Sequence, residues 1–138
     1  MEGTIRTFNE KTRTQAKKYV KRVAESVSRG FKAKAEVEFT PDEYPVTVND
    51  PKVTQKAISI LKKIRGTRTI DAKPIMGAED FSRFLQKAPG TFYFLGTRNP
   101  RKGCVNTNHS SKFKVDEDVL KYGSLSLANL AYEFGKTN

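Results

Sequence analysis

The single histidine, His109, is the residue of this sequence best suited to metal or acid–base chemistry, and the single cysteine, Cys104, lies five residues before it. A structural zinc ion takes about four protein ligands and a catalytic zinc about three plus water, so these two side chains are too few for a site. His109 can ligate a metal if further ligands come from sequence outside this chain or from another chain; a loop histidine hydrogen-bonded to backbone is the commoner alternative. No nucleophile-elbow motif is present to support a serine-hydrolase triad.

A second candidate is the stretch Gly77-Ala78-Glu79-Asp80, between an extended segment and a short predicted helix. Backbone N–H groups and the helix dipole at such a position can bind a carboxylate or a phosphate. The same pattern also serves ordinary helix capping. Arg6, in the first predicted strand, can clamp a carboxylate with its planar fork of donors, although most surface arginines have no such role.

Hydrophobic periodicity predicts a strand, a helix and a strand in the first part of the chain. Residues 4–8 and 34–39 alternate polar and apolar side chains, as half-buried strands do. Between them, apolar residues recur at helical spacing from Glu10 to about Arg29, with Asn9 placed to cap the helix. Turn-forming residues then extend to residue 49, and we place a domain boundary near Val46.

The second part of the chain is predicted to contain three helices and one strand. Asp50 and Pro51 are a strong helix start, and the apolar stripe of that helix continues to Ile64, before Gly66. A short helix that contains Phe81, Phe84 and Leu85 and is closed by Pro89-Gly90 follows, and then a strand at 91–95 that is apolar on both faces. The last helix opens at Asp116 and ends at Gly135. The predicted fold class is α/β.

The chain is strongly basic. Its 138 residues include 26 Lys and Arg against 15 Asp and Glu, a formal charge of +11. An anionic partner such as nucleic acid would use the face of the first helix that carries Lys17, Lys18, Lys21 and Arg22. The alternative is a highly charged surface of the kind found in heat-adapted proteins. No apolar run approaches the roughly 18 residues of a membrane helix, so we expect a cytoplasmic protein without a membrane partner.

Several strings, in order along almost the whole chain, resemble one family of metal-dependent amidohydrolases and carboxypeptidases. This family includes aminoacylases, hippurate hydrolases, auxin-conjugate hydrolases and archaeal thermostable carboxypeptidases, and the archaeal enzymes are the most similar. The strings are Gly3-Thr4-Ile5-Arg6-Thr7-Phe8, Tyr44-Pro45-Val46-Thr47-Val48-Asn49-Asp50-Pro51, Met76-Gly77-Ala78-Glu79-Asp80-Phe81-Ser82, Ala88-Pro89-Gly90, Phe94-Leu95-Gly96 and His109-Ser110-Ser111-Lys112-Phe113-Lys114-Val115-Asp116-Glu117-Asp118.

The resemblance implies the later part of an enzyme in which a metal-binding catalytic domain is interrupted by a smaller lid domain that also forms the dimer. Residues 1–46 then correspond to the second half of the lid, a strand-helix-strand unit. Residues 47–138 correspond to the end of a zinc-peptidase-like α/β catalytic domain. Such enzymes hydrolyse the amide bond of N-acyl amino acids or peptides with a pair of divalent metals, usually zinc.

The resemblance also assigns roles to individual residues. His109 corresponds to the last metal ligand, Gly77 and Ala78 to the backbone edge of the pocket for the substrate carboxylate, and Arg6 to a lid residue facing the substrate. The general base and the other ligands correspond to none of these residues. We therefore expect the chain alone to be inactive, to bind no metal by itself and to form homo-oligomers. The alternatives are a basic nucleic-acid-binding module and a subunit that complements a separately encoded part of the enzyme.

Overall fold

The computed structural model describes residues 1–41 and 43–136. Its described residues form four α-helices and two 3-10 turns: α1 (Glu10–Gly30), α2 (Pro51–Leu61), α3 (Phe81–Leu85), a turn at Pro100–Lys102, a turn at Glu117–Val119, and α4 (Leu120–Gly135). The chain divides into two compact units. Unit 1 comprises Met1–Asn49 and Ala72–Gly90, and unit 2 comprises Asp50–Asp71 and Thr91–Asn138. Within the described part, none of the helices is both long and apolar enough to cross a membrane.

The predicted starts of α1 and α2 are confirmed, and each depends on a local capping bond. The Asn9 side-chain oxygen accepts a hydrogen bond from the Thr12 N–H at 2.7 Å and opens α1. The Asp50 carboxylate accepts one from the Val53 N–H at 2.8 Å and opens α2. Each bond satisfies a backbone donor that the first turn of a helix leaves without an internal partner.

The core of unit 2 is the contact between α2 and α4. Its buried side chains are Ala57, Ile60, Leu61 and Ile64. The helix α2 ends at Leu61, earlier than its apolar stripe suggests. The chain continues in tight turns, in which the Ile64 N–H donates to the Leu61 carbonyl at 3.1 Å, and these turns keep Ile64 in the core.

The last helical segment opens at Asp116, as predicted. The Asp116 carboxylate accepts a hydrogen bond from the Asp118 N–H at 3.3 Å and caps the 3-10 turn that leads into α4. The helix α4 then extends to Gly135, the predicted end. Pairing between α2 and α4 gives α4 one covered face, while several of its apolar side chains, including Leu127, stay exposed.

The predicted strands are not confirmed. Among the described residues the structure contains no β-ladder, and its isolated bridge joins Asn99 and Cys104. Residues 4–8, 34–39 and 91–95 have no strand pairing, so the strand-helix-strand part of the predicted fold class is not confirmed. Alternation of polar and apolar residues indicates only which side chains favour burial. A strand also needs a neighbouring strand whose backbone pairs with its N–H and C=O groups. The assignment of 1–46 to a lid and 47–138 to a catalytic domain stays a prediction.

Candidate functional site

A cleft of about 540 Å³ in unit 1 brings together three of the four predicted site residues. Arg6 lines it from the extended segment before α1, and Gly77 and Ala78 line it from the segment before α3. The remaining walls come from the first half of α1 and from residues 37–40 and 43–46. A guanidinium and two adjacent backbone amide groups in one cleft are groups that can donate hydrogen bonds to a carboxylate.

Arg6 is exposed and forms no hydrogen bond or ion pair with another of the described residues. The extended segment that carries it ends at a local bond, in which the Thr7 hydroxyl donates to the Asn9 carbonyl at 3.0 Å. Its planar fork therefore has its donors available to a bidentate acceptor.

Gly77 and Ala78 are exposed residues that precede α3. The helix α3 has five residues and begins at Phe81, which makes it too short for the helix dipole expected from the sequence. A Cβ atom at Gly77 would meet the Ile75 side chain at 3.7 Å, an ordinary contact distance. The packing of unit 1 therefore does not require glycine at position 77, and a requirement for it would come from a ligand.

Sequence reasoning missed the acidic centre of this cleft, Glu43. Its carboxylate accepts hydrogen bonds from the Arg13 guanidinium and the Lys17 ammonium of α1, and all three residues line the cleft. The hydrogen bond from Lys17 is the main cause that holds the pKa of Glu43 below its usual value, with further lowering by Arg13. Local sequence carries no signal for this role, since Glu43 lies in a turn-rich stretch and its partners are 26 and 30 positions away.

Further contacts hold residues 43–46 against α1 and α3. Glu10 pairs with Arg13 at 3.1 Å and also accepts a hydrogen bond from the Val46 N–H at 3.0 Å. Arg83 donates to the Glu43 carbonyl at 3.4 Å and lies 5.6 Å from the centre of the Tyr44 ring. Hydrogen bonds to charged side chains and a cation–π contact thus hold this wall of the cleft in place.

The fourth predicted site residue, His109, lies in unit 2. It is exposed and has φ of 68°, in the left-handed region that residues other than glycine seldom adopt. No group of three or more His, Cys, Asp or Glu side chains in the described residues is arranged to hold a metal ion. One imidazole does not make a zinc site, so the described residues do not fit a resident metal without further ligands.

The segment around His109 is bounded by a polar network centred on Asp116. The Asp116 carboxylate accepts hydrogen bonds at 2.6 Å from both the Asn99 amide and the Lys102 ammonium, and Lys102 also pairs with Asp118. Hydrogen bonds from Asn99 and then Lys102 hold the pKa of Asp116 below its usual value, and the pKa of Lys102 is raised by its bonds to Asp116 and Asp118. This network closes the loop that contains Cys104, which is buried.

The basic face of α1 is divided between two environments. Lys17 points to Glu43 in the cleft and lies 5.2 Å from the Phe39 ring centre. Lys18, Lys21 and Arg22 are exposed, with Lys21 at 4.0 Å from the Glu25 carboxylate. Nothing in these contacts tests nucleic-acid binding, which stays an untested alternative.

Comparison with known proteins gives one family and several relatives. The model of the family described as Peptidase family M20/M25/M40 matches residues 3–133. Thermostable carboxypeptidase 1 of Saccharolobus solfataricus is 54% identical over 97% of the chain and 34% of its own length. Thermostable carboxypeptidase 2 of the same organism is 53% identical with the same shares. IAA-amino acid hydrolase ILR1-like 4 of Arabidopsis thaliana is 32% identical over 96% of the chain and 31% of its own length.

The chain thus spans about a third of the length of these relatives. No solved structure matches it. The family match supports a zinc-peptidase-like α/β fold as the class, although the described residues lack the paired strands.

Proposed function

Because the chain belongs to peptidase family M20/M25/M40, we propose that it is the carboxy-terminal part of a metal-dependent carboxypeptidase or amidohydrolase. Its reaction is hydrolysis of the amide bond of peptides or N-acyl amino acids. The observation that carries the proposal is 54% identity to a thermostable carboxypeptidase over 97% of the chain. The relative named IAA-amino acid hydrolase ILR1-like 4 supports the same bond type.

The cleft of unit 1 supplies the substrate contacts in this proposal. Arg6 binds the carboxylate of the substrate through two parallel hydrogen bonds, and the backbone at Gly77 and Ala78 forms the edge against which that carboxylate lies. The cleft that joins these residues supports the assignment. Glycine at position 77 allows the closest approach of substrate to backbone.

His109 provides one metal ligand, and the part of the enzyme beyond this chain provides the others and the general base. A divalent metal held by His109 and those further ligands, zinc by the family resemblance, would polarise the scissile carbonyl and activate a water. We infer that the chain alone is inactive, since one ligand and no base are present among the residues that carry the resemblance. Homo-oligomer formation and a cytoplasmic location are further expectations, and the exposed valines of α1 support the first.

Reconstitution tests the proposal. The chain is co-expressed with the complementary part of thermostable carboxypeptidase 1, and hydrolysis of N-acyl amino acids and peptides is measured with added zinc or cobalt. We expect turnover from the pair and none from the chain alone. In the pair, His109→Ala should lower kcat/KM by on the order of 100-fold or more, because even groups that support a ligand are worth about 10- to 100-fold. Asn108→Ala is the control.

Two substrate-site variants complete this experiment. Gly77→Ala should raise KM because its new methyl group meets the substrate, while Gly96→Ala, where a Cβ has open space, should not. Arg6→Gln should raise KM more than Lys18→Gln. Full activity in the His109→Ala pair would contradict the metal-ligand role and the proposal with it.

A further inference from the structure

The charges that line the cleft leave a small positive excess. Three cationic side chains, Arg6, Arg13 and Lys17, and two acidic ones, Glu38 and Glu43, line it. Such a cleft matches a ligand with one negative charge. A ligand with two carboxylates meets the same single positive excess and must lose the hydration of a second charge.

Glu43 decides which of the three cations a ligand can use. Its carboxylate bonds both Arg13 and Lys17, and its side chain has 24% exposure against 15% for Arg13. Partial burial weakens solvent screening, so these pairs are more strongly coupled than exposed ones. The lowered pKa of Glu43 keeps the carboxylate ionised at neutral pH. Arg6 lies outside this network and pairs with none of the described residues.

We propose that Glu43 is a specificity-determining residue that restricts the cleft to ligands with one carboxylate. By occupying Arg13 and Lys17 it leaves Arg6 as the cation that meets the ligand. Glu38, exposed on the cleft wall, adds a second negative charge against a dianion. This inference rests on the proposed function, because it concerns the selectivity of the same cleft for N-acyl amino acids.

Replacing Glu43 should therefore change selectivity and not merely weaken binding. In Glu43→Gln the Lys17 ammonium loses its counter-charge and the Arg13 guanidinium keeps only that of Glu10, so both cations become more available to a second carboxylate. A partly buried ion pair of this kind corresponds to about a five- to tenfold change in affinity. N-acetyl-L-glutamine and N-acetyl-L-glutamate are suitable probes, since they have nearly the same size and differ by one carboxylate.

The experiment measures the dissociation constants of both probes for the chain by NMR titration. We expect Glu43→Gln to improve the affinity for N-acetyl-L-glutamate about five- to tenfold relative to N-acetyl-L-glutamine. The control is Glu25→Gln, which changes the net charge of the chain by the same amount. Glu25 lies on α1 outside the cleft, so its replacement should leave the ratio of the two dissociation constants unchanged. Circular dichroism spectra and thermal midpoints of each variant verify that the helices are retained.

A second variant separates released cations from a disturbed cleft wall. Adding Arg13→Gln and Lys17→Gln to Glu43→Gln should return the ratio of the two dissociation constants to its value in the unaltered chain, because the released positive charges are then absent. An unchanged ratio in Glu43→Gln, the same gain in Glu25→Gln, or no binding of either probe to either form overturns the assignment. Hydrolysis by the reconstituted pair is scored separately. Hydrolysis with an unaltered ratio rejects the role of Glu43 alone, and an altered ratio without hydrolysis rejects the proposed function alone.

Discussion

The two units of the chain are held together by different interactions. Unit 2 has an apolar core, in which Ile60 is 6% exposed and Ala57 3%. Unit 1 has no buried apolar side chain among its described residues, and on α1 Val23 is 55% exposed. Its segments are joined instead by the ion pairs of Glu10, Arg13, Lys17 and Glu43. The cleft that carries the proposed substrate contacts thus belongs to the unit with the weaker apolar packing.

This difference has a consequence for stability and for function. Apolar burial contributes on the order of 25 cal/mol per Å², whereas ion pairs near the surface contribute about 0 to 1 kcal/mol each. Unit 2 should therefore be the more stable unit. The stability of unit 1 should depend more on its charged side chains and on whether the exposed apolar side chains of α1 are covered. Binding sites are commonly found in the less stable parts of a protein.

The largest expected effect is the loss of a core side chain from unit 2. Ile60→Ala should lower the free energy of unfolding by about 2 to 5 kcal/mol, because it removes buried methyl groups and leaves a cavity. Val23→Ala in α1 is the matched control and should change it by less than about 0.5 kcal/mol. Urea denaturation followed by circular dichroism measures both. Equal losses would show that the valine face of α1 is covered in solution.

A methyl group added to glycine tests how closely each unit is packed. Gly66 has φ of +81°, and a Cβ there would lie 2.7 Å from the Tyr122 hydroxyl oxygen. Gly66→Ala should cost about 1 to 2 kcal/mol for the left-handed backbone alone, plus the displacement of Tyr122. Gly103→Ala, with φ of +71° and open space, should cost the backbone part only. Gly77→Ala in unit 1 should leave the thermal midpoint almost unchanged. A large fall in the midpoint would contradict the looser packing of unit 1.

The helix caps provide a smaller and more local test. Asp50→Ala and Asn9→Ala each remove one capping bond, worth about 0.5 to 2 kcal/mol. Because α2 packs in the core of unit 2, the Asp50→Ala loss should appear in the global unfolding free energy. The Asn9→Ala loss should appear mainly as faster amide hydrogen exchange in the first turns of α1. Slower exchange in α1 than in α2 of the unaltered chain would reverse the predicted order of stability.

The smallest effect is a difference in acid sensitivity. The folded-state pKa values of Asp116 in unit 2 and Glu43 in unit 1 both lie below the ordinary values of these carboxyls, because hydrogen bonds from Asn99 and from Lys17, respectively, favour the charged form. A depressed folded pKa gives stability that is present above the unfolded pKa and is lost as the pH falls through the folded pKa. Asp116→Asn and Glu43→Gln should each make stability fall less as the pH is lowered from about pH 5 to about pH 2. Thermal midpoints measured across this range, with Asp71→Asn as control, test the claim; an unaltered pH dependence in both variants contradicts it.

The sequence by itself determined what depends on neighbouring residues. The caps at Asn9 and Asp50 and the apolar stripe of α2 were predictable because capping and helical periodicity act within a few positions. The roles of Arg6, Gly77 and Ala78 as substrate-site residues came from the family resemblance and stay a prediction, and the folded chain places all three along one cleft. Family membership itself is a property of the sequence.

Tertiary structure decided what depends on residues far apart in the chain. The position of Glu43 between Arg13 and Lys17 joins residues 26 and 30 positions apart, and no local pattern specifies it. The same reason explains the predicted strands at 4–8 and 34–39, where alternation was present and pairing was not. Side-chain alternation is set by each residue's own type, whereas a strand and a charge network both need partners that only the folded chain brings within bonding distance.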